Sequence, residues 1–530
     1  MTIATRSRRP TEASDNSVED RINAGRIDGE RPSSKGIRDR AKKTFGSATL
    51  PPVLFGLLFL LILSINLFGN GFPIYWHAEE AGKALQLQTG RYNFYHPQLL
   101  LRIAAITDFL MPGDSVRDAV IAGRTASALA ASIAAIGFGV LVFRRFGWLY
   151  GLLTAALVTI MPGVFINAHF YKEDSVLLMG IAVSMLGLQH FDESPTRSRA
   201  CLLGLTIGLA CSAKYIGMIM LIPAAVLLVH RRAGWAGFGL CLAGIFLVFS
   251  LVNSTTLLNP ANLSRGFMFE IDHVSTGHGG LVWGPLSPRS LLHFWDNSSP
   301  AIIAAFLAGA VLSYNHARAM DRIVIFLPLL WLAAVQLSSV SFARYALPAA
   351  ALCCVAAVWT AALLPPSRAA WKAILVAGII GGGVLTLRPF AAAAASFVNN
   401  PRDRSAAWIR DNLPPTAVIA AEFYAGLPTP QRVLVDPTRA ELRQRVSLAV
   451  NFGLMSSLEH LRNQGVTHLV VSSAHFARYF DRFATLSGPA QAQRGVYEEL
   501  FRRTPLHEEA ESHETGYIMS SRILIYDITN

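Results

Sequence analysis

A series of long apolar runs, separated by short basic turns, constrains this chain more than any other feature of its sequence. The run at residues 51–69, PPVLFGLLFLLILSINLFG, contains no charged residue. Residues 51–390 are about 10% charged, whereas a soluble globular protein is about 25% charged. Since about 20 apolar residues span a bilayer as a helix, the pattern predicts a polytopic α-helical membrane protein. It argues against an ordinary soluble enzyme.

The basic turns predict how the chain crosses the membrane. Eleven spans are predicted, near 51–69, 120–143, 148–166, 175–189, 200–215, 216–229, 234–256, 299–314, 322–338, 345–363 and 371–390. Cations fall on one predicted side, at positions 144–145, 230–232, 318–322 and 368–372. The positive-inside rule assigns that side to the cytoplasm. We therefore expect a cell (inner) membrane location, a cytoplasmic N-terminus and a periplasmic or extracellular C-terminus.

The two ends of the chain differ from its apolar middle. Residues 1–50 are polar and basic, so we expect a disordered cytoplasmic tail before a membrane domain at 51–390. In 391–530, AAWIRDNLPPTAVIAAEFY and SSLEHLRNQGVTHLVVSS each indicate a helix followed by a strand, and RILIYDI indicates a last strand. This predicts a small external α/β domain with a structural or acceptor-docking role. External loops are expected at 70–119 and 257–298.

Ionisable residues at the ends of the predicted spans are candidates for a functional site, because charge near the bilayer core is costly. On the predicted topology they all lie towards the external side. Together they could hold an anionic lipid phosphate and deprotonate a hydroxyl. They are the carboxylates Glu79, Glu80 and Asp174 and the cations Arg124, Lys214 and Arg344.

The order of these residues resembles that of GT-C membrane glycosyltransferases of the protein O-mannosyltransferase and aminoarabinose-transferase type. The acidic pair and the following Gly-x-Tyr and His-Pro elements match HAEEAGKALQLQTGRYNFYHPQLLL, with Glu79 in place of the usual Asp. Further matches cover roughly residues 51–480. They are Arg124, Pro162 with Asp174, GLACSAKYIG with Lys214, the loop FEIDHVSTGHGG, and Arg344 with Tyr345.

The resemblance implies transfer of a sugar, a hexose or a pentose, from a polyprenyl-phosphate donor to a hydroxyl of a cell-envelope lipid glycan, polysaccharide or protein. One inverting displacement at the external face would suffice, with Glu79 as the base. Glu80 and Asp174 would hold the acceptor, a metal or the loop backbone. The leaving phosphate would be bound by Lys214, Arg344, Arg124 and Tyr345. The partners would be membrane lipid, donor and acceptor, with no nucleic acid.

A divalent metal ion is the one cofactor that the loop histidines suggest. His273 and His278 with a carboxylate would provide ligands of a type that such ions accept. The alternative is that both are hydrogen-bonding loop residues, and no other cofactor is expected.

Simpler interpretations stay open for the other candidates as well. Glu79 and Glu80 are alternatively solvated loop residues, Asp174 is alternatively a helix cap, and Lys214 and Arg344 are alternatively interfacial anchors. The alternative function is a polytopic transporter or flippase of a lipid-linked sugar, whose inverted repeats are not evident in the sequence. A membrane anchor for an external binding domain would leave the convergent charges unexplained.

Overall fold

The computed structural model of the protein describes residues 50–77, 79–428, 437–450, 457–510 and 522–529. The predicted disordered tail lies outside the described residues. The helices that precede residue 400 are α1 (Leu50–Leu67), α2 (Glu80–Thr89), α3 (Leu99–Leu110), α4 (Val116–Phe146), α5 (Trp148–Ile160), α6 (Pro162–His169), α7 (Glu173–Glu193), α8 (Arg197–Ala213), α9 (Leu221–His230), α10 (Gly234–Val252), α11 (Ser254–Leu257), α12 (Pro260–Thr276), α13 (Pro288–Asn297), α14 (Pro300–Ser313), α15 (Ala319–Gln336), α16 (Leu347–Leu363) and α17 (Ala369–Ser396).

Within the described residues, six helical segments are long and apolar enough to cross a membrane. They are Val116–Phe146, Glu173–Glu193, Gly234–Val252, Ala319–Gln336, Ala343–Leu363 and Pro366–Asn412. The number rises to eight if each of two bent pairs, α5 with α6 and α13 with α14, is one span. Shorter apolar helices run over Pro52–Leu67 and Tyr215–His230. The count of eleven spans stays a prediction.

One predicted span is bent for a local reason. The run near 148–166 divides into α5 and α6, whose axes differ by 63°. Pro162 is the first residue of α6 and has no N–H to continue the ladder of α5, so the chain turns after the extended Met161. This turn brings the end of α6 and the start of α7 towards the first loop.

Close helix packing positions one of the predicted cations. Gly204 lies where α8 meets α10, and a Cβ there would come within 2.0 Å of the Cys241 carbonyl oxygen. Small residues of this kind let helix backbones approach each other in membrane proteins. Helix α8 ends at Ala213, and Lys214 follows in an extended conformation that stops the helix.

The C-terminal region folds as a small α/β domain. Its helices are α18 (Pro401–Asn412), α19 (Leu458–Asn463), α20 (Ser473–Phe476) and α21 (Gly488–Leu500). Its main sheet contains β2 (Ile419–Glu422), β3 (Val446–Val450), β4 (His468–Ser472), β6 (His507–Glu509) and β7 (Ile523–Asp527), in the order β3-β2-β4-β7-β6. Strand β2 pairs in parallel with β3 and β4, and β7 is antiparallel to β4 and β6. The predicted class, a polytopic helical protein with a small α/β domain, is confirmed.

A second, two-stranded sheet ties this domain to the membrane helices. Strand β1 (Leu281–Val282), in the loop after α12, pairs antiparallel with β5 (Thr485–Leu486). Leu281 and Trp283 also pack in the apolar core of the C-terminal domain. The domain is therefore held over the ends of the helices.

Candidate active site

A cavity of about 960 Å³ lies between the first loop, α12, the ends of the membrane helices and the C-terminal domain. Its walls carry many ionisable groups. Those of the membrane region are His77, Glu79, Lys83, Tyr95, His96, Lys172, Glu173, Lys214, Glu270, His273, His278, Arg289, His293, Asp296, Arg344, Tyr345 and Arg388. Of the predicted site residues, Glu79, Lys214, His278, Arg344 and Tyr345 thus border one space.

Glu79 presents its carboxylate to this cavity. It stands one residue before α2, and its side chain is 44% exposed. Lys172 Nζ donates to Glu79 Oε2 at 2.5 Å, and the Glu79 N–H donates to His77 Nδ1 at 3.2 Å. Burial raises the pKa of Glu79, but the positive charges around it, of which Lys172 contributes most, together hold that pKa well below its usual value. Glu79 is therefore an ionised carboxylate at neutral pH.

Glu80 points away from the cavity and is fully buried. Its two oxygens accept from Arg124 Nε at 2.9 Å and Arg124 Nη2 at 2.7 Å, and Oε1 also accepts from the Tyr171 N–H. Arg124 donates in addition to the carbonyl oxygens of Asn70, Phe72 and Pro73. This bidentate pair fixes the loop after α1 against α4. The two residues are not among the described residues that line the cavity.

Asp174 holds two cations from behind the cavity wall. Its side chain is 3% exposed, Lys214 Nζ donates to Oδ1 at 3.0 Å, and Arg344 Nε lies 3.9 Å from Oδ2. Tyr345 adds an aromatic face, with its ring centre 5.0 Å from Lys214 Nζ and 5.4 Å from Arg344 Cζ. Lys214, Arg344 and Tyr345 form what we call the positive wall of the cavity, and the Asp174 carboxylate compensates part of its charge.

Sequence reasoning missed a second charged group beside Glu79. Lys83 is hydrogen-bonded to Glu173, and His96 Nε2 lies 3.8 Å from Glu173 Oε2. The available signal was the run Lys172-Glu173-Asp174. Lys172 is extended while the next two residues begin α7, so the three side chains diverge. Lys172 contacts Glu79. Glu173 contacts Lys83, and Asp174 contacts Lys214.

Three of these groups could hold a metal ion. One ligand atom from each of Glu79, His96 and Glu173 lies within 4.8 Å of the other two. Burial lowers the pKa of His96 to about 3, which keeps the ring neutral as a ligand must be. His96 Nδ1 and Glu173 Oε2 are buried and accept no hydrogen bond from the described residues. This donor set fits a divalent cation, although Lys83 and Lys172 compete for the carboxylates.

The predicted metal ligand His278 lies elsewhere on the cavity wall. Its ring centre is 4.9 Å from that of His273 and 5.4 Å from that of Phe342. Burial, followed by the charges of His273 and Arg478, lowers the pKa of His278 to about 3. It is not part of the cluster of three found within the described residues.

The C-terminal domain forms the roof of the cavity. Tyr424, Ser473 and Arg478 line it, and the Arg478 guanidinium lies 5.6 Å from the centre of the Tyr424 ring. Asp481 joins the roof to α13 and to the loop before it, because it pairs with Arg289 of α13 at 3.1 Å and accepts from Trp283 Nε1 of the loop at 2.9 Å. The domain thus contributes polar and aromatic groups to the site.

A buried network holds the roof segment in place. Glu422 at the end of β2 is fully buried, accepts from the Ser472 N–H at 2.6 Å, and is hydrogen-bonded to the Tyr497 hydroxyl. His475 Nδ1 lies 3.1 Å from the same carboxylate. Ser472 and His475 flank the residues that enter the cavity, so this network orients α20.

Comparison with known proteins identifies similar folds and one similar family. Residues 113–235 match the model of the family described as dolichyl-phosphate-mannose-protein mannosyltransferase. ArnT from Cupriavidus metallidurans in the apo state is 14% identical with a TM-score of 0.50, over 90% of this chain and 98% of that chain. The oligosaccharyltransferase of Archaeoglobus fulgidus tethered with an acceptor peptide is 11% identical with a TM-score of 0.48, over 84% and 72%. A search of curated proteins found no match.

The resemblance predicted from the motifs is confirmed by these findings. The family match is a similarity of sequence over the region from the start of α4 to the start of α10. The ArnT comparison, at low identity, is a similarity of fold over nearly the whole chain. The chain is a multi-pass membrane protein whose residues 113–235 are similar in sequence to that family model and whose fold is similar to that of ArnT.

Proposed function

We propose that the protein transfers a sugar from a polyprenyl-phosphate donor to a hydroxyl of a cell-envelope acceptor, at the external face of the membrane. The observation that carries the proposal is the shared cavity. The Glu79 carboxylate opens into the same space as Lys214 and Arg344. A base and a site for a leaving phosphate are the two parts that such a transfer needs. The match to a family named for a lipid-phosphate sugar supports the choice of donor.

The donor phosphate would bind at the positive wall. Lys214 and Arg344 can donate to its oxygens. Asp174, on the side away from the cavity, contacts both cations and fixes their orientation. As the sugar leaves, negative charge grows on the phosphate, and fixed cations stabilise the transition state more than the ground state. The Tyr345 ring, which lies beside both cations, would help to fix the distance between them.

Glu79 would act on the acceptor. The acceptor oxygen forms a bond to the anomeric carbon as the bond from that carbon to the phosphate oxygen breaks. The bonding electron pair leaves on the lipid phosphate, and the hydroxyl proton passes to Glu79. The product is an inverted glycoside, with polyprenyl phosphate as the leaving group.

Glu80 and Arg124 would act as positioning residues in this scheme. Their buried bidentate pair fixes the segment that carries Glu79. A base displaced by about 1 Å can lose about 100-fold in rate, so a rigid loop serves the chemistry. The roof residues Tyr424 and Arg478 face the cavity from the C-terminal domain and would contact the acceptor.

Glu79, His96 and Glu173 are the residues that would hold a divalent cation in this cavity. When bound, it would supply positive charge to a phosphate oxygen. The proton transfer and the phosphate contacts described above use the chain's own side chains.

The proposal is tested with purified protein in proteoliposomes. The probes are synthetic polyprenyl-phosphate hexoses and pentoses, and release of polyprenyl phosphate is measured with and without cell-envelope glycan as acceptor. We expect one donor to be consumed by the wild type and spared by Glu79→Gln. Mass spectrometry of envelope glycans from cells with and without the protein identifies the product. The proposal fails if no donor is consumed and the glycans are identical.

A further inference from the structure

Helix α13 has its polar side buried and its apolar side exposed. Ser290, His293 and Asn297 form one stripe of the helix and are each at most 5% exposed. On the opposite side, Leu291 is 48% exposed and Trp295 is 51% exposed. A helix on the surface of a soluble protein has the reverse arrangement, with its apolar stripe against the core.

The buried polar side is held by specific hydrogen bonds. The Ser290 and Ser341 hydroxyl oxygens are 3.0 Å apart. Asn297 Nδ2 donates to the Ala343 carbonyl oxygen at 3.1 Å. These contacts join α13 to the segment just before Arg344. The rotation of the helix about its axis is therefore fixed, and the apolar side cannot turn inwards.

The direction of α13 points to what its apolar side contacts. After a break at residues 298–299, the apolar helix Pro300–His316 follows at an angle of 101° to α13. If the apolar helix crosses the bilayer, a helix perpendicular to it lies along the membrane surface. Tryptophan is enriched at that level of a membrane, and Trp295 belongs to the exposed side.

We propose that α13 is a membrane-surface helix, whose exposed side (Leu291, Leu292 and Trp295) binds the acyl-chain boundary of the leaflet next to the cavity. Arg289 and Asp296, on its flank, line the cavity. The helix would therefore hold the cavity mouth at the level of lipid headgroups. The membrane contact of α13 does not depend on the proposed function. Its consequence does: a lipid phosphate could then reach Lys214 without leaving the membrane.

The position of α13 relative to the bilayer is measured with a fluorescent probe. In a Cys201→Ala background, Leu291→Cys and the control Leu506→Cys are each labelled with NBD. The native residues at the two positions have nearly the same exposure, 48% and 49%. In proteoliposomes we expect the probe at 291 to be quenched by lipids with a nitroxide on the acyl chain and shielded from iodide. The probe at 506 should show the opposite. Iodide quenching of both probes would overturn the proposal.

If something other than membrane lipid covers the exposed side of α13, the same experiment gives a different result. A second copy of the chain on this side would shield the probe from iodide and also from the nitroxide lipid. If the donor's own chain occupied the surface, added polyprenyl phosphate would abolish nitroxide quenching. Either result counts against the proposal. Because the readout is spectroscopic, it is independent of whether the protein transfers sugar.

The consequence for donor use is measured separately with the double variant Leu291→Gln, Trp295→Gln. We expect KM for a long-chain donor in proteoliposomes to rise about tenfold, because membrane binding scales with buried apolar area. With a short-chain, water-soluble donor, kcat and KM should equal those of the wild type. An equal rise in KM for both donors, or no rise for either, would show that α13 does not serve donor access.

Discussion

Lys172 Nζ lies 2.5 Å from Glu79 Oε2, and this ion pair joins the loop after α1 to the start of α7. The two partners differ in environment, since the Lys172 side chain is 3% exposed and that of Glu79 is 44% exposed. The buried cation therefore presents the carboxylate to the cavity in its charged form. It also sets how basic that carboxylate is.

Removing this cation should change the pH dependence of turnover. In Lys172→Met the main charge that lowers the pKa of Glu79 is lost, so that pKa rises. Glu79 must be deprotonated to accept a proton, and it would then protonate at a higher pH than in the wild type. The acid limb of kcat/KM should move to higher pH. Lys372→Met, in α17 and outside the cavity lining, is the control, and an unmoved acid limb would remove Lys172 from this role.

Glu79→Gln should abolish most of the turnover. The amide keeps the size of the side chain but cannot take the proton, and a general base contributes about 100- to 10,000-fold. Binding of the polyprenyl-phosphate donor, measured by titration, should barely change. Glu459→Gln, on an exposed helix of the C-terminal domain, is the matched control. Near-normal turnover in Glu79→Gln would transfer the base role to another carboxylate, while Glu79→Asp is expected to stay active.

Glu80→Gln should act on stability rather than directly on proton transfer. Breaking a buried ion pair leaves the other charge unpaired and costs about 3–5 kcal/mol. We therefore expect a clearly lower unfolding temperature for Glu80→Gln, monitored by tryptophan fluorescence in detergent, and little change for Glu79→Gln. A Glu80→Gln protein with wild-type stability and no turnover would mean that Glu80 takes part in the chemistry.

Composition and motif order were sufficient for the fold class, and Glu79, Lys214 and Arg344, which they single out, line the cavity. A long apolar run predicts a membrane helix because a helix satisfies its backbone hydrogen bonds within one segment. Glu79, Lys214 and Arg344 were singled out because each interrupts or borders such a run. The direction of neighbouring side chains was not predictable. Glu80 follows Glu79 directly, yet it turns to Arg124 because helix α2 begins at that residue.

The roof could not be predicted because it depends on contacts across long stretches of chain. Tyr424 and Arg478 carry no recognisable spacing, and they reach the cavity through long-range contacts such as the pairing of β1 with β5 and the ion pair of Asp481 with Arg289. The same holds for Lys83 and Glu173, which are 90 positions apart in the sequence. Such pairs become visible only once the packing of α2 against α4, and of α4 against α7, is known.

Lys214→Ala and Arg344→Ala should each weaken use of the donor while leaving the protein folded. A hydrogen bond to a charged group is worth about 1.5–3 kcal/mol, so KM for the donor should rise about 10- to 100-fold. Asp174→Asn should move KM in the same direction, since it releases both cations. Arg265→Ala, on the exposed side of α12, is the control. Unchanged donor saturation in both alanine variants would reduce Lys214 and Arg344 to interfacial anchors.

Arg478→Gln should separate acceptor recognition from donor chemistry. Arg478 belongs to the roof and lies beside Tyr424, on the C-terminal domain, whereas the donor phosphate is assigned to Lys214 and Arg344. Loss of one charged hydrogen-bond donor should raise KM for the glycan acceptor about tenfold or more. Hydrolysis of the donor by water needs no acceptor contact and should keep its wild-type rate. Arg482→Gln, four residues along the same segment and exposed, is the matched control. Parallel loss of transfer and hydrolysis in Arg478→Gln would place the residue on the donor side of the cavity instead.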